Sequence, residues 1–451
     1  MSRVQDSTLD CVLNLDGLVG PSHNYGGLAL GNIASSKHKG EVSSPRAAAL
    51  QGLEKMWHLH QIGIPQGLLP PQQRPDLSLL HSAGFTGSTE QMLSAAYKQA
   101  PHLLEACYSA SSMWAANSAT VTASADSTDG KLHFTPANLI STLHRSREAI
   151  ENGFFLQHCF NEPVLFTHHP PLPTQYEFSD EGAANHIRLS DPNGEGAINL
   201  LIYGREATEK QSGHYPARQS KLACESLIRR HQIHQNKSLL LQQHPEAIQH
   251  GAFHNDVVAV GQSNFLLLHE QTFSSQAQAI EQLKQLSESW NKPLVIFEVG
   301  SKDLSLDEAI ASYLFNSQLV TKPSGDMVMI APEDSRENPA ANKICDRILA
   351  EDNPVSEITF LDLRQSMNNG GGPACLRLAV PITEKELDAV YPGILLDEAL
   401  YQRLKQWVNQ HYRDRLSADD LRDIHLAREI YAALEELSSI LKIQHLYPFQ
   451  R

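Results

Sequence analysis

The feature that most constrains how this 451-residue chain can fold is a short β-hairpin recurring at near-regular spacing. Residues 116–121 turn at Asp129-Gly130 into 131–134, and residues 184–189 turn at Pro192-Asn193-Gly194 into 197–203. Residues 257–260 turn at 261–264 into 265–268, and residues 315–320 turn at Pro323-Ser324-Gly325 into 327–330. A fifth apolar pair, 358–363 and 375–380, flanks a glycine loop. Asn117, Asn185, Asn255 and Asn316 head the first four at intervals of 68, 70 and 61 residues, and Cys375 lies 59 residues beyond. Short apolar runs bounded by Gly, Pro, Asn and Asp signal hairpins, and each interval leaves room for a helix and one more strand. Two architectures fit. Either an ordinary α/β protein spreads its hairpins evenly, or five similar units repeat around an axis as an α/β propeller.

Helix signals fill the intervals. Ser44-Pro45 reads as a cap followed by proline at the first helical position, with Leu50, Leu53 and Trp57 on one face up to Gly63. Ser88 with Gln91, and Ser305 with Glu308, are capping boxes. Residues 384–441 read as the longest helical stretch, with a start signal at 417–420. The expected organisation is one catalytic domain over 1–451, with a helical region at 384–443 packed on it.

Composition removes several functions. Thirty-six Lys and Arg against 51 Asp and Glu give a formal charge of −15, which disfavours nucleic acid or an anionic membrane as partner. Residues 1–16 lack the apolar run of a signal peptide, and no stretch approaches the roughly 18–20 apolar residues of a membrane span. A cytoplasmic protein is expected. The six cysteines lie far apart, so no close-spaced zinc pattern exists, and reduced thiols are expected. Dinucleotide, Walker and GxSxG motifs are missing, and no metal or cofactor is called for.

Three positions carry chemistry. Cys375 follows Asn368-Asn369-Gly370-Gly371-Gly372-Pro373-Ala374 and opens an apolar strand. Three glycines allow close backbone approach and N–H groups aimed at developing negative charge; otherwise this is a flexible loop before a buried thiol. His254 stands two residues before Asp256, so in extended backbone both side chains face one way. Alone, it is one of 22 histidines, and a structural role is the ordinary fate. Glu181 reads either as an exposed acidic turn or, given Gly182-Ala183-Ala184 after it, as a carboxylate on a tightly packed rim. Together, cysteine, histidine and carboxylate make a covalent-hydrolysis set.

The order of longer motifs adds a resemblance. The segment 16–20 with His23-Asn24-Tyr25-Gly26-Gly27-Leu28, then Gly182-Ala183-Ala184-Asn185-His186, Tyr215-Pro216-Ala217-Arg218-Gln219 and Phe253-His254-Asn255-Asp256-Val257 run in sequence. They are followed by 313–319, 369–377, 412–416 and 447–451. In these the chain resembles the N-succinylarginine dihydrolases of the guanidine-modifying, or pentein, superfamily. The resemblance implies a five-bladed α/β propeller of pseudo-fivefold ββαβ units. It also implies hydrolysis of N2-succinylarginine to N2-succinylornithine, carbon dioxide and two ammonia, by a homodimer.

By the same resemblance Cys375 is the nucleophile, His254 the acid/base and Glu181 its carboxylate partner. Substrate contacts fall on the loop of Gly26, Gly27, Leu28, Ala29, Leu30, Gly31, Asn32, Ile33, Ala34 and Ser35, and on Asn117, His144, Arg145, Arg218, Asp256 and Asn369. Arg145 and Arg218 are candidates for the substrate carboxylates, and Asn117 for both guanidinium and ureido groups, because an amide donates and accepts. A substrate cation or His⁺ is expected to lower the thiol pKa. Three rivals share parts of this pattern: an arginine or agmatine deiminase that stops after one ammonia, a cysteine amidase on ordinary amides, and a non-catalytic propeller with an inert cysteine.

Overall fold

The computed structural model describes residues 11–192, 196–209 and 213–451. The turn expected at Asn193-Gly194 and the reading of residues 1–10 lie outside the described residues.

Five three-stranded sheets share one plan. The chain enters through β1 (Cys11–Gly17), helix α1 (Pro45–Gln61) and β2 (Gln66–Leu69). It continues with β3 (Ala119–Thr122), β4 (Leu132–Pro136), α2 (Ala149–Cys159) and β5 (Phe166–His168). Next come β6 (His186–Ser190), β7 (Ala197–Tyr203), α3 (Lys221–Arg230) and β8 (Ser238–Gln242). The following unit is β9 (Ala259–Gln262), β10 (Phe265–His269), α4 (Gln276–Leu286) and β11 (Val295–Val299). After it come β12 (Gln318–Thr321), β13 (Met327–Pro332), α5 (Pro339–Ala350) and β14 (Val355–Leu361), then β15 (Arg377–Ile382). In four of the sheets a hairpin pairs antiparallel, and its second strand takes a third in parallel across the helix. A parallel partner requires a crossover, which is why a helix sits in every unit. This is the five-unit α/β propeller, the pentein architecture.

The fifth unit departs from the sequence reading. The apolar pair 358–363 and 375–380 is not a hairpin: β14 completes the fourth unit in parallel with β13. Strand β15 instead pairs antiparallel with β1 from Cys11↔Ile382 to Asp16↔Arg377, and β1 takes β2 in parallel. The ring is therefore closed by the two ends of the chain. No local signal announces such a pairing, because its partners are more than 350 residues apart.

The expected helix caps are present at Ser44, Ser88 and Ser305. The stretch 384–441 is broken: α6 (Glu398–His411) and α7 (Ile424–Leu441) are separate helices, and 417–420 caps a short turn before α7. Leu404, Trp407 and Leu434 from these helices are buried in the same apolar cluster as Leu13 and Leu15 of β1. Trp407 Nε1 donates to the Ala433 carbonyl at 2.9 Å, satisfying the one polar atom of a buried indole.

Candidate active site

The first strand of each unit lies innermost, and β15 contacts β3, β6 contacts β9, and β9 contacts β12. The tight turns just ahead of these strands therefore gather at one end of the axis. Asn117, Asn316 and Cys375 each stand two residues before such a strand, Asn185 one before β6, and Asn255 within the turn 255–257 before β9. The recurring asparagines tie unit to unit. Asn185 Oδ1 accepts from the Asn255 N–H at 2.9 Å, and the Asn117 amide donates to the Glu181 carbonyl. Asn316 Oδ1 faces the Cys375 N–H at 3.4 Å. Cys375 takes the place in this ring that asparagine holds elsewhere.

The site has two halves. In the first, the Cys375 thiol donates to Asp256 Oδ2 at 3.1 Å and accepts from Asn316 Nδ2 at 3.1 Å. Burial raises the thiol pKa well above its ordinary value, and the Asp256 charge adds to this; Asn316 and the Gly372 N–H oppose it. Asp256 is itself pushed up to about 6 by burial. In the second half, His254 Nε2 and Arg145 Nη1 meet Glu181 Oε2 at 2.7 and 2.9 Å, all three side chains fully buried. Burial alone would raise the Glu181 pKa, but Arg145 and His254 outweigh it and hold the carboxyl below its usual range. Burial lowers His254 to about 4, so the imidazole is neutral near pH 7. With Nε2 given to Glu181, the proton-free nitrogen is Nδ1, which is buried without a partner.

The remaining unpartnered buried atoms sort by sign. Asp256 Oδ1, Glu181 Oε1 and Asn117 Oδ1 are acceptors; Arg145 Nη2, Arg218 Nη1 and Trp114 Nε1 are donors. Buried polar atoms are normally paired. This site therefore suits a ligand that offers both N–H donors and anionic acceptors. Arg145 stacks over Trp114 at 4.6 Å and Arg218 over Phe253 at 4.8 Å, aromatic supports that sequence reading missed.

The 26–35 loop closes the front. Arg218 Nη2 donates to the Leu30 carbonyl at 2.6 Å. Asn32 caps the turn of helix Ile33–Lys37 and donates to the Asn369 carbonyl at 3.0 Å, while Ser35 reaches Asn369 Oδ1 at 3.4 Å. Leu30 and Ile33 side chains are exposed. Gly26, Gly27, Leu28, Ala29 and Ser35 border a small void with His144, Trp114 and Asn369. His144 is buried, its carbonyl accepting from Arg74 at 3.3 Å.

Two local expectations change. His254 is extended, but residues 255–257 form a tight helical turn, so Asp256 reaches Cys375 through that turn and not by strand alternation. The three glycines serve mainly close packing. A Cβ on Gly370, at φ +98°, would lie 2.0 Å from Asn32 Nδ2, and one on Gly372 would lie 2.5 Å from Asn316 Oδ1. The Gly370 and Gly371 N–H groups are taken by the Met367 and Ser366 carbonyls, which leaves Gly372 facing the sulfur. Asn316 was absent from the expected site; its place in the recurring asparagine series was the signal.

The family profile for succinylarginine dihydrolase matches residues 10–450. An N-succinylarginine dihydrolase of Shewanella oneidensis is 48% identical over 441 residues, 97% of this chain and 99% of its own length. Relatives of that name in Shewanella sp. ANA-3 and Shewanella putrefaciens are also 48% identical at the same coverage. Among solved structures, the N-terminal domain of a cyanobacterial arginine dihydrolase of the ornithine–ammonia cycle overlaps 82% of this chain and 98% of its own, at TM-score 0.49 and 14% identity. A dimethylarginine dimethylaminohydrolase overlaps 75% and 92%, at TM-score 0.41 and 11% identity. With a profile match over nearly every residue and relatives this similar at full length, the chain belongs to the succinylarginine dihydrolase family.

Proposed function

We propose that the protein hydrolyses N2-succinylarginine to N2-succinylornithine, carbon dioxide and two ammonia, through a covalent intermediate on Cys375. The observation that carries the reading is the pairing of a thiol on Asp256 with a neutral imidazole on Glu181, within a chain of this family. Two waters balance the overall reaction.

The guanidinium pole of the substrate would satisfy Asp256 Oδ1, Glu181 Oε1 and Asn117 Oδ1, and its carboxylates would take Arg218 and Arg145 donors. A cation placed against Asp256 and the thiol offsets the charge that holds the thiol proton on. That proton passes to the free Nδ1 of His254, and the thiolate forms an S–C bond to the guanidinium carbon. A terminal C–N bond breaks, and His254 returns the proton to departing ammonia. Water, deprotonated by His254, attacks the thiouronium carbon; the S–C bond breaks and N2-succinylcitrulline remains. A second cycle at the ureido carbon breaks its two C–N bonds and releases the second ammonia, carbon dioxide and N2-succinylornithine. Glu181 orients His254 and stabilises its imidazolium. Such acid–base assistance contributes typically about 10²–10⁴-fold.

The reading carries a cytoplasmic homodimer, with residues 384–443 as a structural buttress of a single catalytic domain. Among the described residues, no helix is long and apolar enough to cross a membrane. The test is ammonia released per N2-succinylarginine consumed, with Cys375→Ser alongside. Two per substrate and an inactive variant support the proposal; one, with succinylcitrulline accumulating, replaces it with a deiminase.

A further inference from the structure

A large cavity lies behind the front of the catalytic pocket. It measures about 950 Å³ and follows the propeller axis, walled by residues of the innermost strands such as Val121, Arg188, Val260, Val320 and Ala379. Strand alternation sets this wall. On β15, Leu378, Val380 and Ile382 are fully buried in the core, whereas Arg377, Ala379 and Pro381 line the cavity. At one end, exposed Gly63, Lys292, Thr321 and Asp352 rim its mouth, near the hairpin turns that end the innermost strands. The other end lies where those strands begin. Ala116, Ala183 and Ala374 make a floor of small side chains there, each within two residues of Asn117, Glu181 or Cys375.

Two polar residues reach through the floor. Asp256 lines the cavity and accepts from Cys375 Sγ through Oδ2, while its Oδ1 is buried without a partner. Arg377 lines it two residues beyond Cys375, and its Nε is likewise unpartnered. Both atoms are buried behind the floor, so a small polar molecule satisfies them only when the small side chains around them give way. The front differs: Cys375, His254, Glu181 and Asn117 are at most 1% exposed beneath the loop held by Arg218 and Asn369.

We infer that the axial cavity is a rear conduit, through which water reaches and ammonia and carbon dioxide leave the catalytic centre while the front loop stays closed. The inference rests on the proposed reaction, which consumes two waters and expels three small molecules between entry of one large substrate bearing two carboxylates and exit of one large product. With small molecules moving at the rear, the neutral ureido intermediate is retained for its second hydrolysis. Arg145 and Arg218 hold its carboxylates at the front, and the alanine floor excludes anything of its size.

Ala379 faces the lumen and takes no part in catalysis. The variants Ala379→Ser, Ala379→Leu, Ala379→Phe and Ala379→Trp narrow it in steps. Gln262→Trp, at a half-exposed lumen position, is an independent obstruction should the larger Ala379 variants fail to fold. Each variant is assayed for ammonia, succinylcitrulline and succinylornithine formed from N2-succinylarginine. From Ser to Trp, the share of substrate released as succinylcitrulline rises at least fivefold and kcat falls in the same order, with KM within twofold of wild type. Equal product ratios and kcat across the folded series, Gln262→Trp included, overturn the conduit while leaving the dihydrolase intact. Wild type that releases no ammonia overturns the underlying reaction, and the conduit with it.

Discussion

The two halves of the catalytic centre treat protons in opposite ways. Around Cys375 and Asp256, burial keeps protons on: it raises the thiol pKa, with the Asp256 charge adding to it, and it lifts Asp256 to about 6 against the hydrogen bond from the thiol. Around His254 and Glu181 protons stay off: burial takes the imidazole down to about 4, while Arg145 and His254 keep the carboxylate ionised against the opposing effect of burial. A free enzyme arranged this way has a weak nucleophile and a ready base. On the proposed reaction, what joins the halves is a cation placed between two carboxylates, supplied by the substrate. The expectation that a substrate cation or His⁺ lowers the thiol pKa is not met in the free protein, where His254 is neutral and burial, with the Asp256 charge, raises it; lowering by substrate belongs to the proposed complex.

The largest effect falls on the nucleophile. Cys375→Ser should lower kcat by about 10⁶-fold, the scale on which a covalent nucleophile fails when removed from its acid–base group. Residual activity within about 10²-fold of wild type would mean that sulfur is not the attacking atom.

Next comes the proton-free half. His254→Ala should reduce kcat by about 10²–10⁴-fold. Glu181→Gln should reduce both activity and stability, because Arg145 is left as an unpaired buried cation, a loss on the order of 3–5 kcal/mol. Thermal unfolding and steady-state kinetics on one preparation separate the two. An unchanged melting temperature would show that Arg145 finds another partner.

The proton-rich half sets the pH response. Asp256 must be ionised to hold a guanidinium, and below about pH 6 it is protonated and neutral. The kcat/KM for N2-succinylarginine should therefore fall about tenfold per pH unit on the acid side of that value. Asp256→Asn should remove this limb and slow hydrolysis of the guanidinium substrate more than that of succinylcitrulline supplied directly. Equal slowing of both would mean that Asp256 does not discriminate charge.

The smallest effect is expected at the front loop. Arg218→Lys loses the planar donor that reaches the Leu30 carbonyl. It should raise KM about tenfold with kcat nearly unchanged; a drop in kcat alone would place Arg218 with the chemistry.

Much of this arrangement was written locally. Four hairpins were legible because the sequences Asp129-Gly130, Pro192-Asn193-Gly194, 261–264 and Pro323-Ser324-Gly325 are turn chemistry between apolar runs. What escaped was long-range. The pairing of β1 with β15, which carries Cys375 into the ring, joins opposite ends of the chain and leaves no trace near either strand. Asp180-Glu181-Gly182 looks like an exposed turn until the neighbouring unit covers it, after which Glu181 is 0% exposed. Motif resemblance named Cys375, His254 and Glu181, but it did not show that Asn316 braces the sulfur or that Arg377 and Asp256 face a cavity behind it.

The account turns on sulfur attacking a guanidinium carbon. The most direct measurement is intact-protein and peptide mass spectrometry of enzyme acid-quenched while turning over N2-succinylarginine. The predicted result is an adduct of substrate less ammonia on the peptide carrying Cys375, and none on Cys375→Ser. Ammonia release with no adduct on that peptide, or an adduct on another of the six cysteines, would contradict it.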